Sequence, residues 1–191
     1  IMLKSIISVA RGWKAITTLF FKGVIISPST RLIIEQSAVI RLLNKSRIFF
    51  NSYILLQNGS HLSSKNNFYL GQGAEVILTH NAKLEIGENV YVGSYSNIRC
   101  SGKIKIGNNV RIAQHVSIID SNYDIFEGKI IGIKSNEIEI EDSVWIGAGA
   151  IILPGVKIKK GSIIGAGSVV NKDVNEKCLF AGNPARYIKN I

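Results

Sequence analysis

Between Ile138 and Asn175 the chain repeats itself every 18 residues, with an aliphatic residue at every sixth position. Ile140, Ile146 and Ile152 are answered by Ile158, Ile164 and Val170, and Ile146-Gly147-Ala148-Gly149-Ala150-Ile151 returns as Ile164-Gly165-Ala166-Gly167-Ser168-Val169. A period of six nested in eighteen predicts a triangular coil with three short faces per turn, stacked as an all-β parallel β-helix solenoid. Each coil rises one strand spacing, about 4.8 Å, so that inward aliphatics stack on their equivalents above and below. Gly and Asn take the tight corners, where positive φ is often required. The Ile and Val columns are therefore core and not a cofactor box.

Regular repeats begin at Leu84, where Leu84-Glu85-Ile86-Gly87-Glu88-Asn89-Val90 matches Ile104-Lys105-Ile106-Gly107-Asn108-Asn109-Val110 at an offset of 20. From Val24 to Lys83 the chain holds irregular strand-like runs, such as Arg31-Leu32-Ile33-Ile34 and Tyr53-Ile54-Leu55-Leu56, separated by turn residues such as Asn58-Gly59-Ser60. These read as degenerate coils of the same solenoid, because terminal repeats are usually atypical. One solenoid domain is expected over residues 24–190. It is interrupted once: residues 121–137 lack the hexad, hold Gly128 and Gly132, and predict an extended functional loop thrown out from the coil.

Ahead of the solenoid, residues 2–22 predict a short amphipathic helix. Lys4, Arg11 and Lys22 fall within about 20° of one another on a helical projection, and Ile6, Ile7, Trp13, Ile16, Leu19 and Phe20 fill the rest. The longest uncharged stretch, Ala15 to Phe21, is far too short to span a bilayer. The helix is expected either to pack on the body or a neighbouring subunit, or to lie on an anionic membrane surface.

The formal charge of +10 is uneven. Residues 1–50 carry eight Lys or Arg against one acid, Glu35, and residues 151–191 carry seven against Asp173 and Glu176. Two basic ends around a near-neutral middle suggest two separate anionic partners rather than a continuous nucleic-acid track, and no aromatic-interleaved basic stripe supports nucleic-acid binding. Cys100 and Cys178 stand in no metal-ligand pattern and read as reduced thiols of a cytoplasmic protein. The histidines His61, His80 and His115 lack the close spacing of a zinc site, so no metal is expected.

Several segments, taken together, resemble the hexapeptide-repeat acyltransferases. They are Ser143-Val144-Trp145-Ile146-Gly147-Ala148-Gly149, Ile152-Leu153-Pro154-Gly155-Val156, Ile164-Gly165-Ala166-Gly167-Ser168-Val169-Val170, Lys172-Asp173 and Ala181-Gly182-Asn183-Pro184-Ala185. Within that family the chain resembles the maltose/galactoside O-acetyltransferases and the bacterial capsule and O-antigen acetyltransferases. The resemblance covers about residues 84–190 and implies a left-handed β-helix, a homotrimer with sites between subunits, and acetyl-CoA as donor. It implies transfer to a sugar hydroxyl of a bacterial surface polysaccharide or its precursor, by an enzyme that is cytoplasmic or peripheral on the inner membrane.

By position, the resemblance places Trp145 at the mouth of the acyl site, Ala148 and Ala166 along the pantetheine arm, and Asn171, Lys172 and Arg186 at the nucleotide end of acetyl-CoA. Lys and Arg suit the phosphate charges of that end. In the family the acceptor hydroxyl loses its proton to a His in an Asp-x-x-His or Asp-x-x-x-His turn. Here the turn reads Asp120-Ser121-Asn122-Tyr123-Asp124, so the His position falls on Tyr123 or Asp124. A family Asn that helps hold the acceptor falls on Gly93. An imidazole suits a general base at neutral pH, whereas Tyr is mostly a donor and Asp a feeble base unless buried. His115, just before the insertion and outward-facing in the hexad Ile112–Ser117, is therefore the leading candidate base, followed by Asp124 and Tyr123, with His80 behind them. Two other readings fit the departure: N-acylation of an amino-sugar nucleotide, whose amine needs a weaker base, and a degenerate homologue that keeps only the CoA-binding or trimeric scaffold.

Overall fold

The computed structural model describes residues 23–191 together with the backbone of Leu19–Phe20. Each coil passes through three short strands, illustrated by Lys103–Ile106 on a first face, Arg111–Ile112 on a second and Ser117–Ile119 on a third. Successive coils pair in parallel and in register: Ile98, Ile118 and Ile152 stack on the third face, and Val92, Ile112 and Ile146 on the second. Among the described residues the three faces hold seven, nine and seven strands. The all-β parallel solenoid read from the repeat is the observed fold.

The coils below Leu84 belong to the same stack. Leu32, Ile54, Val76 and Ile98 pair in sequence, each step 22 residues long. Longer strands and turns in these coils hide the six-residue period, although the inward column is the same. Its members are buried along the whole length, as are Ile40, Leu62, Leu84, Ile104 and Ile138 on the first face. Full burial of each such side chain is worth about 1.5–3 kcal/mol. The corners repay the turn residues: Asn67, Asn89 and Asn109 stack at the first-to-second corner with φ near +60°, and Asn67 Nδ2 donates to Asn89 Oδ1 at 2.8 Å. Asn tolerates that backbone and its amide ladders from coil to coil.

Two expectations change. Leu19–Phe20, inside the helix expected over 2–22, are instead strand and pair in parallel with Ile40–Arg41; the rest of that segment lies outside the described residues. The extended loop over 121–137 is an ordered antiparallel hairpin, Ser121–Phe126 against Lys129–Ser135, turning through Glu127 and Gly128 with φ of +48° and +75°. Pairing satisfies the backbone groups that an irregular loop leaves to water. Its base is closed by Asn136 N–H donating to Asp120 O at 2.8 Å. At the other end Cys178–Gly182 and Ala185–Asn190 form an antiparallel pair that extends the second face.

Candidate functional site

The corner between the second and third faces changes character at one coil. Tyr95, His115, Gly149 and Gly167 follow one another up this corner, all with φ between +57° and +69°. Each is tied to the coil beneath: His115 N–H donates to Ser94 O at 3.1 Å, Gly149 N–H to Gln114 O at 3.0 Å, and Gly167 N–H to Ala148 O at 2.8 Å. The Tyr95 ring covers Gly73, where a Cβ would meet it at 2.5 Å. The exposed His115 ring stacks on Tyr95, with centroids 5.5 Å apart and planes 12° from parallel.

Above His115 the side chains stop. A Cβ on Gly167 would meet nothing within 4 Å, and one on Gly149 only the Gly167 backbone at 3.9 Å. Ala148 and Ala166 precede these glycines on the same corner, and Ala166 is exposed. The imidazole thus sits at the foot of a shelf of small residues. Trp145, 54% exposed, stands on the second face in the coil above His115, in register with Arg111 below and Ile163 above. The fold therefore brings His115, Ala148 and Ala166 to one corner, with Trp145 on the adjoining second face.

The other candidates lie elsewhere. Asn171 and Lys172 are exposed just after Val169–Val170, at the third-to-first corner. Arg186 is exposed on the last strand opposite Ala181, its Nη1 donating to Ala185 O at 2.9 Å. Tyr123 and Asp124 sit on the hairpin, paired with Ile133 and Gly132, and neither shares the His115 corner. Tyr123 lines a cleft of about 410 Å³ at the hairpin root with Ile77, Arg99, Ser101, Ile119 and Ile133; Asp124 does not. His80 is exposed in the turn after Glu75–Leu78, while His61 lies on the first face, so the three histidines occupy separate edges. Among the described residues no group of His, Cys, Asp and Glu is arranged to hold a metal ion.

Packing explains one departure from the family pattern and the role of Asp120. A Cβ on Gly93 would lie 2.4 Å from the Ala113 carbonyl carbon, so the coil spacing leaves no room for the family's Asn. Asp120 is fully buried and accepts from Ser101 N at 2.7 Å and Gly102 N at 2.9 Å, which fixes the start of the hairpin rather than a reacting group. Cys100 Sγ lies 3.4 Å from the same carboxylate. Burial, then the charge of Asp120, pushes that thiol far up from its ordinary value. Tyr95 was not singled out by sequence; a large aromatic at a corner otherwise occupied by Gly and Asn is the signal that could have found it.

Residues 137–172 match the bacterial transferase hexapeptide (six repeats) family. Over 118 residues the chain is 35% identical to the galactoside O-acetyltransferase of Escherichia coli (strain K12), covering 61% of this chain and 58% of that protein. A solved galactoside acetyltransferase in complex with coenzyme A superposes with a TM-score of 0.61 at 27% identity, covering 69% of this chain and 64% of that one. The polysialic acid O-acetyltransferase OatWY superposes with a TM-score of 0.78 at 24% identity over 91% and 84% of the two chains, a likeness of fold. The chain spans little more than half the length of the first curated relatives it matches.

Proposed function

We propose, from a chain whose residues 137–172 belong to the hexapeptide-repeat transferase family, that it is an acetyl-CoA-dependent O-acetyltransferase. Its acceptor is a sugar hydroxyl of a bacterial surface polysaccharide or its precursor. The observation that carries this reading is the second-to-third corner, where an exposed imidazole stacked on Tyr95 lies beneath a shelf without side chains at Gly149 and Gly167. A thin pantetheine arm fits such a shelf, and a Cβ at either glycine would narrow it. The similarity to a galactoside O-acetyltransferase, and to one solved with coenzyme A, supports the donor and the sugar acceptor.

In this mechanism His115 takes the proton of the acceptor hydroxyl as its oxygen attacks the thioester carbonyl. The tetrahedral oxyanion collapses, the C–S bond breaks, and the imidazolium returns its proton to the departing thiolate. Tyr95 holds the imidazole plane, so that proton transfer needs no reorientation. Trp145 borders the acyl end, Ala148 and Ala166 line the pantetheine arm, and Asn171, Lys172 and Arg186 meet the nucleotide phosphates.

The working molecule is a homotrimer in which the hairpin lies on a neighbouring copy. Its exposed Tyr123, Ile125, Phe126, Ile130, Ile131 and Ile133, each more than 60% accessible, support that packing. On this reading the enzyme lies in the cytoplasm or peripherally on the inner membrane.

Release of CoA thiol tests the reading, with the purified full chain, acetyl-CoA and a panel of hydroxyl and amino-sugar acceptors. His115→Asn keeps a residue tolerant of positive φ and is expected to lower kcat by about 10²–10⁴-fold. Asp124→Asn is expected to leave it within about threefold, since removing a non-participating surface charge costs little. Full rate in His115→Asn overturns the base assignment. Absence of both CoA release and acetyl-CoA binding by calorimetry overturns the enzyme.

A further inference from the structure

Below Trp145, the outward side chains of the second face form a ladder that the acetyl-transfer reaction itself does not use. Arg47, Tyr69, Tyr91, Arg111 and Trp145 are strand partners coil on coil, in that order. Phe49 packs on Tyr69 and Tyr69 on Tyr91, each pair with ring centroids 4.5 Å apart. No acid occurs among the outward residues of this face from Ile25 to Leu179, and among the described residues neither Arg47 nor Arg111 has a carboxylate within ion-pair distance.

The adjoining corner is of the same kind. Beneath His115 it presents Gln114, Ser94, Tyr95, Gln72, Asn51 and Phe50, with no charged side chain among them. Gln72 Nε2 lies 3.4 Å from the Tyr95 hydroxyl. A charge-free strip rich in hydrogen-bonding groups thus runs down the solenoid from the candidate base, bordered by two arginines and a stack of aromatics.

We propose that this face and corner form an extended subsite for an acidic polysaccharide, with Arg47 and Arg111 reading its carboxylates and the chain end delivered to His115. The proposal deepens the acetyltransferase reading and rests on it for the position of the reacting hydroxyl. Each coil advances about 4.8 Å, comparable to the length of one sugar ring in an extended chain. Arg47 and Arg111 therefore stand roughly 14 Å apart, three coils, with Tyr69 and Tyr91 between them. Guanidinium forks match carboxylates in bidentate geometry. Neutral chains find hydroxyl and amide groups along the corner but no charge partner.

A single-stranded nucleic acid is the competing polyanion, and the ring geometry disfavours it. Stacked bases need open aromatic faces, whereas Tyr69 and Tyr91 are stacked on one another at 20° and offer edges and hydroxyls. Tyr69 is a proton donor at neutral pH, and burial, then the neighbouring Tyr91, raises its phenol further from its ordinary value. Donor hydroxyls between two cations suit carboxylates and ring hydroxyls better than base faces.

Calorimetric titration of the full chain decides between them at one fixed ionic strength. The probes are oligosialic acid and oligogalacturonate of two and six residues, neutral maltohexaose, and a twelve-residue oligouridylate. At least one acidic hexamer is expected to bind about tenfold more tightly than its dimer and than maltohexaose. The double variant Arg47→Gln/Arg111→Gln, both on exposed positions, is expected to lower that affinity about tenfold, while acetyl-CoA affinity and Tm stay unchanged; Arg47→Lys/Arg111→Lys recovers part of it. Equal binding of neutral and acidic chains, no dependence on length, or affinity that survives the Gln variant overturns the subsite. Tighter binding of oligouridylate than of either glycan overturns it in favour of nucleic acid. Acetyl-CoA binding and transfer to small sugars report the enzyme separately, so either reading can fail while the other stands.

Discussion

Tyr95 and His115 occupy left-handed backbone, which costs a non-glycine residue about 1–2 kcal/mol, at corner positions that Gly73 and Gly149 fill in the coils on either side. Their ring stack offsets part of that cost, and what it leaves is an imidazole of fixed plane. Replacing Gly149 by Asn keeps the backbone conformation but puts a side chain onto the shelf. The expected result is a KM for acetyl-CoA raised about tenfold or more, about 1.4 kcal/mol, with Tm within a few degrees; steady-state kinetics and a thermal melt measure both. Cys100 behaves in the opposite way to a reactive thiol. Its raised pKa keeps it protonated, so in a Cys178→Ser background it is expected to resist thiol-specific labelling at pH 8 until the protein is unfolded. Because the unfolded thiol releases its proton near its ordinary value of about 8.5 and the folded one does not, this group's contribution to stability is complete below that pH and is lost as pH rises above it.

At the scale of elements, the coil and the hairpin have separate sources of stability. The coils are held by aliphatic columns, and Ile118→Ala, which opens a cavity between Ile98 and Ile152, is expected to cost about 2–5 kcal/mol in urea unfolding. The hairpin contributes no residue to the buried core and is fixed at its root by Asp120. Asp120→Ala leaves the Ser101 and Gly102 amides without their partner and is expected to cost about 1–3 kcal/mol. It should also raise hydrogen exchange across 121–136 more than in the coils, a difference that mass spectrometry of exchanged peptides resolves. The hairpin was legible in the sequence only as a break in the hexad. Tyr123 and Ile125 alternate with Asn122 and Asp124, but the run is short, and the adjacent Ile130 and Ile131, opposite a register shift, break the alternation that usually marks a half-buried strand.

At the scale of the molecule, the proposed trimer would cover the projecting apolar arm. Sedimentation is expected to give about three times the 20.9 kDa chain mass. Ile125→Lys combined with Ile131→Lys, both exposed on the arm, is expected to yield the monomer with its solenoid still folded and its acetyl transfer lost. A trimer that survives those charges overturns the packing role of the hairpin.

The sequence by itself determined the coil. A buried aliphatic at every sixth position predicts a three-faced parallel stack, without its handedness, and Gly and Asn at the intervening corners match the positive φ found there. It also marked where the stack is interrupted and which positions resemble a donor site. Only the tertiary structure decided that Leu32 and Ile54 belong to the same column as Ile118, because their 22-residue spacing is regular in space but not in the hexad. Only it placed His115, Ala148 and Ala166 on one corner and moved Tyr123 and Asp124 away from it. The physical reason is that a solenoid converts separations of 18 to 34 residues into adjacent coils, so which side chains meet depends on the register each coil adopts and on what an insertion does to it.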